Sequence, residues 1–133
     1  MFGTSRPGAN AYRQMSVDTD ALAASPHQLI VMLFDGALRA IDTAAAQMQA
    51  GDIEGKGRSV SKAIEIVGSG LAASLDLKAG GEIAANLASL YDYVVRELVA
   101  ANLHDDAGKL DRARKLLAQM RANWIAIGGA VAP

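Results

Sequence analysis

Apolar residues recur along the chain at alternating steps of three and four, the spacing that places side chains on one face of an α-helix. The first series consists of Ile30, Phe34, Ala37, Ile41, Ala44 and Met48. Before it, a Ser-Pro-His-Gln segment at 25–28 supplies an N-cap, a proline for the first helical position and the glutamine of a capping box. Gly51 is a typical left-handed C-terminal residue. The pattern predicts a first helix between Ser25 and Gly51.

Three further series have the same spacing. The second follows a potential N-cap at Asp52 and consists of Val60, Ile64, Val67 and Leu71. The third follows Gly81 and consists of Ile83, Leu87, Leu90, Val94 and Ala101. The fourth follows Asp106 and consists of Leu110, Ala113, Leu117, Met120, Trp124 and Ile127. Four such helices joined by short turns predict an all-α fold, an antiparallel four-helix bundle, and we assign residues 17–130 to this single domain.

The second helix contains three glycines, and the pattern predicts that it ends near Ser74. Each of Gly57, Gly68 and Gly70 lowers helix stability by about 1 kcal/mol relative to alanine. They indicate either the close approach of a neighbouring helix or a locally soft helix. The third helix is expected to end near Asn102, and the fourth just before Gly128.

Residues 1–16 carry glycine, proline and few apolar side chains, and they predict a mobile N-terminal arm. Tyr12 is an amphipathic side chain in this arm and could dock on the bundle. The arm has no apolar stretch typical of a secretory signal. No segment approaches the roughly 20 apolar residues of a membrane span. We therefore expect a cytoplasmic protein without membrane insertion.

The charge balance and the scarcity of reactive side chains exclude several classes of protein. Thirteen Lys and Arg oppose 14 Asp and Glu, and the net charge of −1 argues against nucleic-acid binding. Cysteine is absent. The two histidines, His27 and His104, do not follow a glutamate at the Glu-x-x-His spacing of di-iron bundles. Residues 51–57 are glycine-rich but lack the Ser or Thr of a phosphate-binding loop, so a helix–helix turn is favoured. We predict a protein that is not an enzyme and has no cofactor or metal.

Apolar residues also lie beside the second and third series. They include Ala63, Ile66, Gly70 and Ala73 in the second helix, and Ala84, Ala88, Tyr91, Val95 and Leu98 in the third. Two explanations are open: wide interfaces between the helices, or a surface groove that receives another helix. We expect Ile66, Tyr91 and Val95 to line an apolar trough that is partly open to water.

Several blocks of sequence resemble one known family. They are residues 24–37 (Ala-Ser-Pro-His-Gln-Leu-Ile-Val-Met-Leu-Phe-Asp-Gly-Ala), Tyr12-Arg13-Gln14, residues 80–84 (Gly-Gly-Glu-Ile-Ala), Leu90-Tyr91-Asp92-Tyr93, and Arg121 with Trp124. They resemble the signatures of the flagellar secretion chaperone FliS family over roughly residues 12–127. Phe34 stands where that family usually has tyrosine, and Val94 where methionine is usual. Both changes keep the apolar character.

The resemblance implies a cytoplasmic helical bundle that binds the C-terminal region of flagellin, prevents premature polymerisation and delivers flagellin to the export apparatus. It also implies contact with the export-gate protein, and no nucleotide or metal. We expect a monomer or a weak dimer. Two alternatives are open: an enzymatic or metal-carrying bundle, and a structural protein that assembles through the same apolar stripes. The candidate partner-binding residues are Tyr12, Ile66, Tyr91, Val95 and Leu98.

Overall fold

The computed structural model describes residues 24–128, which form four α-helices. The helices are α1 (Pro26–Ala50), α2 (Ile53–Glu65), α3 (Leu77–His104) and α4 (Ala107–Ile127). Helix α2 continues without a turn into a π-helical segment, Ile66–Leu71, and a 3-10 segment, Ala72–Ser74. No strand occurs between residues 24 and 128, and the predicted all-α class is confirmed. The predicted N-terminal arm and Tyr12 lie outside the described residues.

The helices form an antiparallel bundle in which each helix packs against two neighbours. The contacts join α1 to α2, α2 to α3, α3 to α4, and α4 back to α1. Two ion pairs fix the direction of α4 against α1: Arg114 contacts Asp42, and Arg121 contacts Asp35, each at 2.6 Å. The residue number rises along α4 while it falls along α1, so these two helices are antiparallel. The predicted four-helix bundle is therefore confirmed.

The predicted helix starts are present as capping interactions. The Ser25 hydroxyl accepts the backbone N–H of Gln28 at 3.1 Å, and the Gln28 side chain accepts the Ser25 N–H at 2.8 Å. Asp52 accepts the backbone N–H of Gly55 at 3.0 Å, and Asp106 caps α4 in the same way. Gly51 ends α1 in the left-handed region, with φ +78°. Short side chains at these three helix starts therefore satisfy N–H groups that the helices leave unpaired.

The second helix ends at Ser74 as predicted, but its last third is not α-helical. The π-helical segment begins at Ile66 and contains Gly68 and Gly70. Gly68 is exposed, and a Cβ atom added there would meet nothing within 4 Å. Close helix approach therefore does not explain Gly68, and the structure favours the other alternative, a local departure from α-helical geometry. Wide turns of this kind often lie at functional positions.

The third helix begins earlier than the sequence pattern predicts. Asp76 caps it by accepting the backbone N–H groups of Lys78 and Ala79 at 3.2 and 3.0 Å. The helical path breaks at Gly81, whose φ of +55° and ψ of −132° suit a residue without a side chain. The break is where the sequence predicts it, but an additional turn precedes it. At the other end the helix reaches His104, two residues beyond the predicted end.

The core confirms most of the predicted helix faces. Residues of the first, second and fourth series that are buried include Ile30, Phe34, Ala37, Ile41, Ala44, Val60, Val67, Leu71, Leu110, Ala113, Leu117 and Met120. Ile127 is exposed, so its assignment to the core is wrong. It is the last residue of α4.

The predicted core face of α3 is wrong at two positions in the first half of the helix, whereas Leu87 packs against the core as predicted. Ile83 is 74% exposed and Leu90 is 39% exposed, although both belong to the predicted series. The buried residues of α3 are instead Ala84, Tyr91, Val94, Leu98 and Ala101. At these two positions the buried side chain, Ala84 or Tyr91, is one residue further along the chain than predicted.

Candidate functional site

The trough expected between α2 and α3 is closed. Ile66 and Leu98 are fully buried and Tyr91 is 5% exposed, so the expectation that Ile66 and Tyr91 are open to water is wrong. Val95 is half-buried and packs against the core. Of the two explanations for the wide apolar stripes, these residues support wide helix interfaces. Burial alone does not test whether Ile66, Tyr91, Val95 and Leu98 take part in binding a partner. That role stays a prediction.

Tyr91 lies at the centre of this closed interface. Its ring packs against Phe34 of α1 with 6.4 Å between ring centroids and an angle of 48° between the planes. Burial raises the pKa of Tyr91 to about 12 because the phenolate loses its hydration. The aromatic pair therefore contributes to the contact between non-adjacent helices at the middle of the bundle.

The exposed large apolar side chains concentrate on α3. Among residues 24–128 they are Ile53, Leu77, Ile83, Leu90, Tyr93, Val99, Leu103, Ile125 and Ile127. Six of these nine belong to α3. Scattered apolar residues are ordinary on a protein surface, but clustered ones mark interaction surfaces. Some of these side chains lie on the side of α3 that faces α4, and others lie on the side that faces α2.

Two of them lie on the side of α3 that faces α4. Glu97 identifies this side, because its carboxylate accepts a hydrogen bond from Arg112 at 3.1 Å and lies 3.8 Å from the Lys109 amino group. Leu90 and Ile83 precede Glu97 by seven and fourteen residues. Residues seven apart share a helix face, so both side chains point towards α4.

Ile127 of α4 lies near Ile83 and Leu90 of α3. It follows Lys109 by 18 residues, which is five helical turns, and it therefore shares the face that contacts Glu97. The antiparallel register places Ile83 near the level of Ala126 and Ile127. We call Ile83, Leu90 and Ile127 the α3–α4 patch. It lies where α4 ends, at the end of the bundle that also contains the start of α3.

A second group lies at the opposite end of α3. Val99 and Leu103 are four residues apart and share a helix face, and Leu103 is 74% exposed. Lys56 fixes the start of α2 beside this end, because its ammonium donates to the carbonyl oxygen of Asn102 at 3.0 Å and pairs with Asp105. Ile53 precedes Lys56 by one turn and is exposed. We call Ile53, Val99 and Leu103 the α2–α3 patch.

A signal in the sequence could have identified the α3–α4 patch. Two sets of residues in α3 repeat every seven positions and lie side by side on the helix. The series Ala84, Tyr91 and Leu98 is apolar throughout, whereas Ile83 and Leu90 are followed by Glu97 in the same register. A charged third member indicates the less buried series. The exposed Ile53, Val99 and Leu103 were not singled out by the sequence pattern.

His27 and Trp124 join the start of α1 to the end of α4 and serve a structural role. His27 stacks on Trp124 with 4.7 Å between ring centroids. Its Nε2 bonds the carbonyl oxygen of Trp124 at 2.9 Å, and the Trp124 indole N–H donates to the His27 carbonyl oxygen at 3.0 Å. No group of three or more His, Cys, Asp or Glu side chains is placed to hold a metal within residues 24–128. Residues 51–57 form the α1–α2 turn and the first turn of α2, as predicted.

None of the helices described between residues 24 and 128 is long and apolar enough to cross a bilayer. The candidate functional surface is thus a pair of apolar patches carried mainly by α3. A surface of this kind can bind an amphipathic segment of another protein.

Comparison with known proteins identifies the family. The sequence model of the family described as Flagellar protein FliS matches residues 8–131. The flagellar secretion chaperone FliS of Salmonella typhimurium is 48% identical over 117 residues, which cover 88% of this chain and 87% of the relative. The protein of the same name from Escherichia coli is 41% identical over 117 residues, covering 88% and 86%. That of Bacillus subtilis is 33% identical over 114 residues, covering 86% and 80%. The chain belongs to the FliS family.

Proposed function

We propose that this protein is a cytoplasmic export chaperone that binds the C-terminal region of flagellin, prevents its premature polymerisation and delivers it to the flagellar export apparatus. The observation that carries the proposal is the concentration of exposed apolar side chains on α3 of a chain that belongs to the FliS family. Curated relatives bear the name flagellar secretion chaperone.

The two patches suit a client that is disordered alone and helical when bound. From Ile83 to Leu103, α3 rises about 30 Å, the length of a client helix of roughly 20 residues. Such a client loses conformational entropy when it orders, and burial of apolar surface along this length offsets the loss. A client that covers both patches runs along α3 and crosses from its α4 side to its α2 side.

The residues assigned to partner binding from the sequence take different roles in this proposal. Val95 keeps partial exposure beside the α2–α3 patch and is a candidate for direct contact. Ile66, Tyr91 and Leu98 are buried in the core and pack α3 against the other helices. Tyr12 is proposed to contact the client or the export-gate protein. Tyr12→Ala is expected to change one of these affinities and to leave the melting temperature nearly unchanged.

Calorimetry and circular dichroism with a flagellin C-terminal fragment test the proposal. We expect saturable binding, a negative heat-capacity change from apolar burial, and a gain in helicity that the separate components do not show. No heat and no gain in helicity at tens of micromolar would contradict it.

Paired variants test where the client binds. Leu90→Asp places a carboxylate in the α3–α4 patch, where client binding would desolvate it, and we expect a loss of affinity of about tenfold or more. Ile125→Asp is the matched control, because Ile125 has a similar exposure on α4 but lies outside both patches. Equal losses for the two variants would place the client elsewhere.

The oligomeric state and the export-gate contact are separate parts of the proposal. We propose a monomer or a weak dimer in the absence of client, and direct binding of the chaperone–client complex to the export-gate protein. Light scattering with and without the flagellin fragment tests the first part. Growth of large particles that the fragment does not reverse would favour the alternative of a self-assembling structural protein.

A further inference from the structure

A cleft of about 270 Å³ lies between α1 and α2, away from both apolar patches. Four residues of α1 line one wall with spacings of three, four and seven, which place them on one helix face. The lining residues are Gly36, Arg39, Ala40, Thr43, Ser59 and Lys62. Gly36 and Ala40 are buried and form a floor of small residues, whereas Arg39 and Lys62 are exposed at the two rims.

The cations of this cleft have no acidic partner among the described residues. Seven of the cations between residues 24 and 128 form ion pairs, and neither Arg39 nor Lys62 is among them. Arg58 is likewise unpaired within this range. It precedes Lys62 by four residues and lies about 6 Å from it along the axis of α2. Unpaired positive charge therefore extends from the cleft towards the α1–α2 turn.

The hydrogen-bonding groups restrict the ligand further. The Ser59 hydroxyl donates to Gln47 Oε1 at 2.6 Å, so its oxygen presents a lone pair to the cleft. Thr43 supplies the remaining hydroxyl. The backbone N–H groups of the lining residues lie in the interiors of α1 and α2 and are bonded within their own helices. The donors that remain for an anion are thus the side chains of Arg39, Lys62 and Thr43.

We infer that the α1–α2 cleft binds carboxylate side chains of an acidic segment of a partner protein. Compact phosphate groups favour helix N-termini and backbone N–H groups that converge on one point, and this cleft offers neither. Its positive charge is spread along the helices instead, which matches carboxylates spaced along a peptide. Arg39 can hold one carboxylate by two parallel hydrogen bonds, and Lys62 can neutralise a second.

The apolar patches contain no cation that could bind a carboxylate. Carboxylate binding in the cleft therefore does not require the patches to be occupied. The α3–α4 patch and the cleft share no helix, and no residue of the α2–α3 patch lines the cleft. The following experiment contains no flagellin. If flagellin does not bind this protein, the peptide experiment can still succeed. If the acidic peptide does not bind, the proposed binding of flagellin is unaffected.

Fluorescence anisotropy with a labelled alanine-based peptide, bearing glutamate at every fourth position, tests the inference. We expect saturable binding that weakens as salt is added, and no binding of the matched glutamine peptide. The double variant Arg39→Gln/Lys62→Gln should bind the glutamate peptide about tenfold more weakly. Amide resonances of Gly36, Thr43 and Ser59 should shift during the titration of the unaltered protein.

The control is Lys78→Gln/Arg96→Gln, which removes the same types and number of charges from exposed positions of α3. We expect this variant to bind within about twofold of the unaltered protein, because long-range charge alone is screened. Equal losses for the two double variants would overturn the inference. It would also be overturned if the glutamine peptide bound equally well, or if inorganic phosphate shifted the same resonances at lower concentration than the glutamate peptide.

Discussion

The two halves of α3 bury their apolar residues to different extents, although both repeat them at the same spacing. The second half buries Tyr91, Val94, Leu98 and Ala101. In the first half Ala84 is the one buried residue, while Leu77, Ile83 and Leu90 are exposed. The second half also exposes Tyr93, Val99 and Leu103, but these three do not belong to the series predicted for the core. The spacing of apolar residues therefore predicts the helix but does not by itself predict which turns of the helix enter the core.

The neighbours of the two halves explain the difference. The second half packs beside regular turns of α2 and α4, and the contacts of Lys56 and Glu97 hold it there. Helix α3 also contacts the π-helical and 3-10 segments that end the second helix. Because α3 runs antiparallel to the second helix and to α4, these segments and the end of α4 lie towards its first half. A helix buries the part of its apolar stripe that a neighbouring element covers. Ile83 and Leu90 in the first half are not covered in this way and stay exposed.

The largest expected effect distinguishes the two halves directly. Val94→Asp places a carboxylate in the core without a partner, and we expect it to lower the free energy of unfolding by several kcal/mol or to unfold the protein. Leu90→Asp lies one turn earlier at an exposed position and should cost less than about 1 kcal/mol. Urea denaturation followed by circular dichroism measures both. Equal losses would show that the first half is packed as tightly as the second.

Much of this fold could be predicted from the sequence because its determinants are local. The Ser25 capping box, the left-handed Gly51 and the Asp52 and Asp106 caps depend on residues within one helical turn. The face of α1 was also predictable, since one apolar stripe dominates it.

The candidate surface could not be predicted in the same way, because burial in α3 depends on other helices. Ile83 and Leu90 have the spacing of core residues, but they share the face of α3 that carries Glu97, beside α4, and they stay exposed. The π-helical geometry itself has no simple sequence signature beyond Gly68 and Gly70. The cleft between α1 and α2 depends on two helices as well and was not anticipated.

The dependence of the free energy of unfolding on alkaline pH tests the burial of Tyr91, the first residue of the second half of α3. Its pKa is about 12 in the folded protein and about 10 when unfolded, so the folded state holds the proton more tightly. Stability from this group is complete below pH 10 and is lost as the pH rises towards 12, by about 2–3 kcal/mol. Tyr91→Phe should show a smaller loss over this interval. Identical pH profiles of the free energy of unfolding would place the Tyr91 hydroxyl in contact with water.

Removal of a single ammonium group tests what holds the second half of α3. Lys56→Met keeps the buried stem but leaves the Asn102 carbonyl and Asp105 without their donor, at an expected cost of about 1–2 kcal/mol. Lys78→Met is the matched control in the first half, where the lysine is exposed, and should change stability by less than about 0.5 kcal/mol. Thermal denaturation measures both variants. A Lys56→Met protein as stable as the control would mean that apolar packing alone positions this end of α3.

The smallest expected effect concerns the irregular segment beside the first half of α3. Gly68→Ala adds a methyl group into open space at a position without positive φ, and it lowers the conformational entropy of the unfolded chain. We expect it to raise the free energy of unfolding by about 0.5–1 kcal/mol. Gly57→Ala, in the regular part of α2, also meets nothing within 4 Å and should give a similar gain. If Gly68→Ala destabilises the protein while Gly57→Ala stabilises it, the π-helical geometry requires glycine.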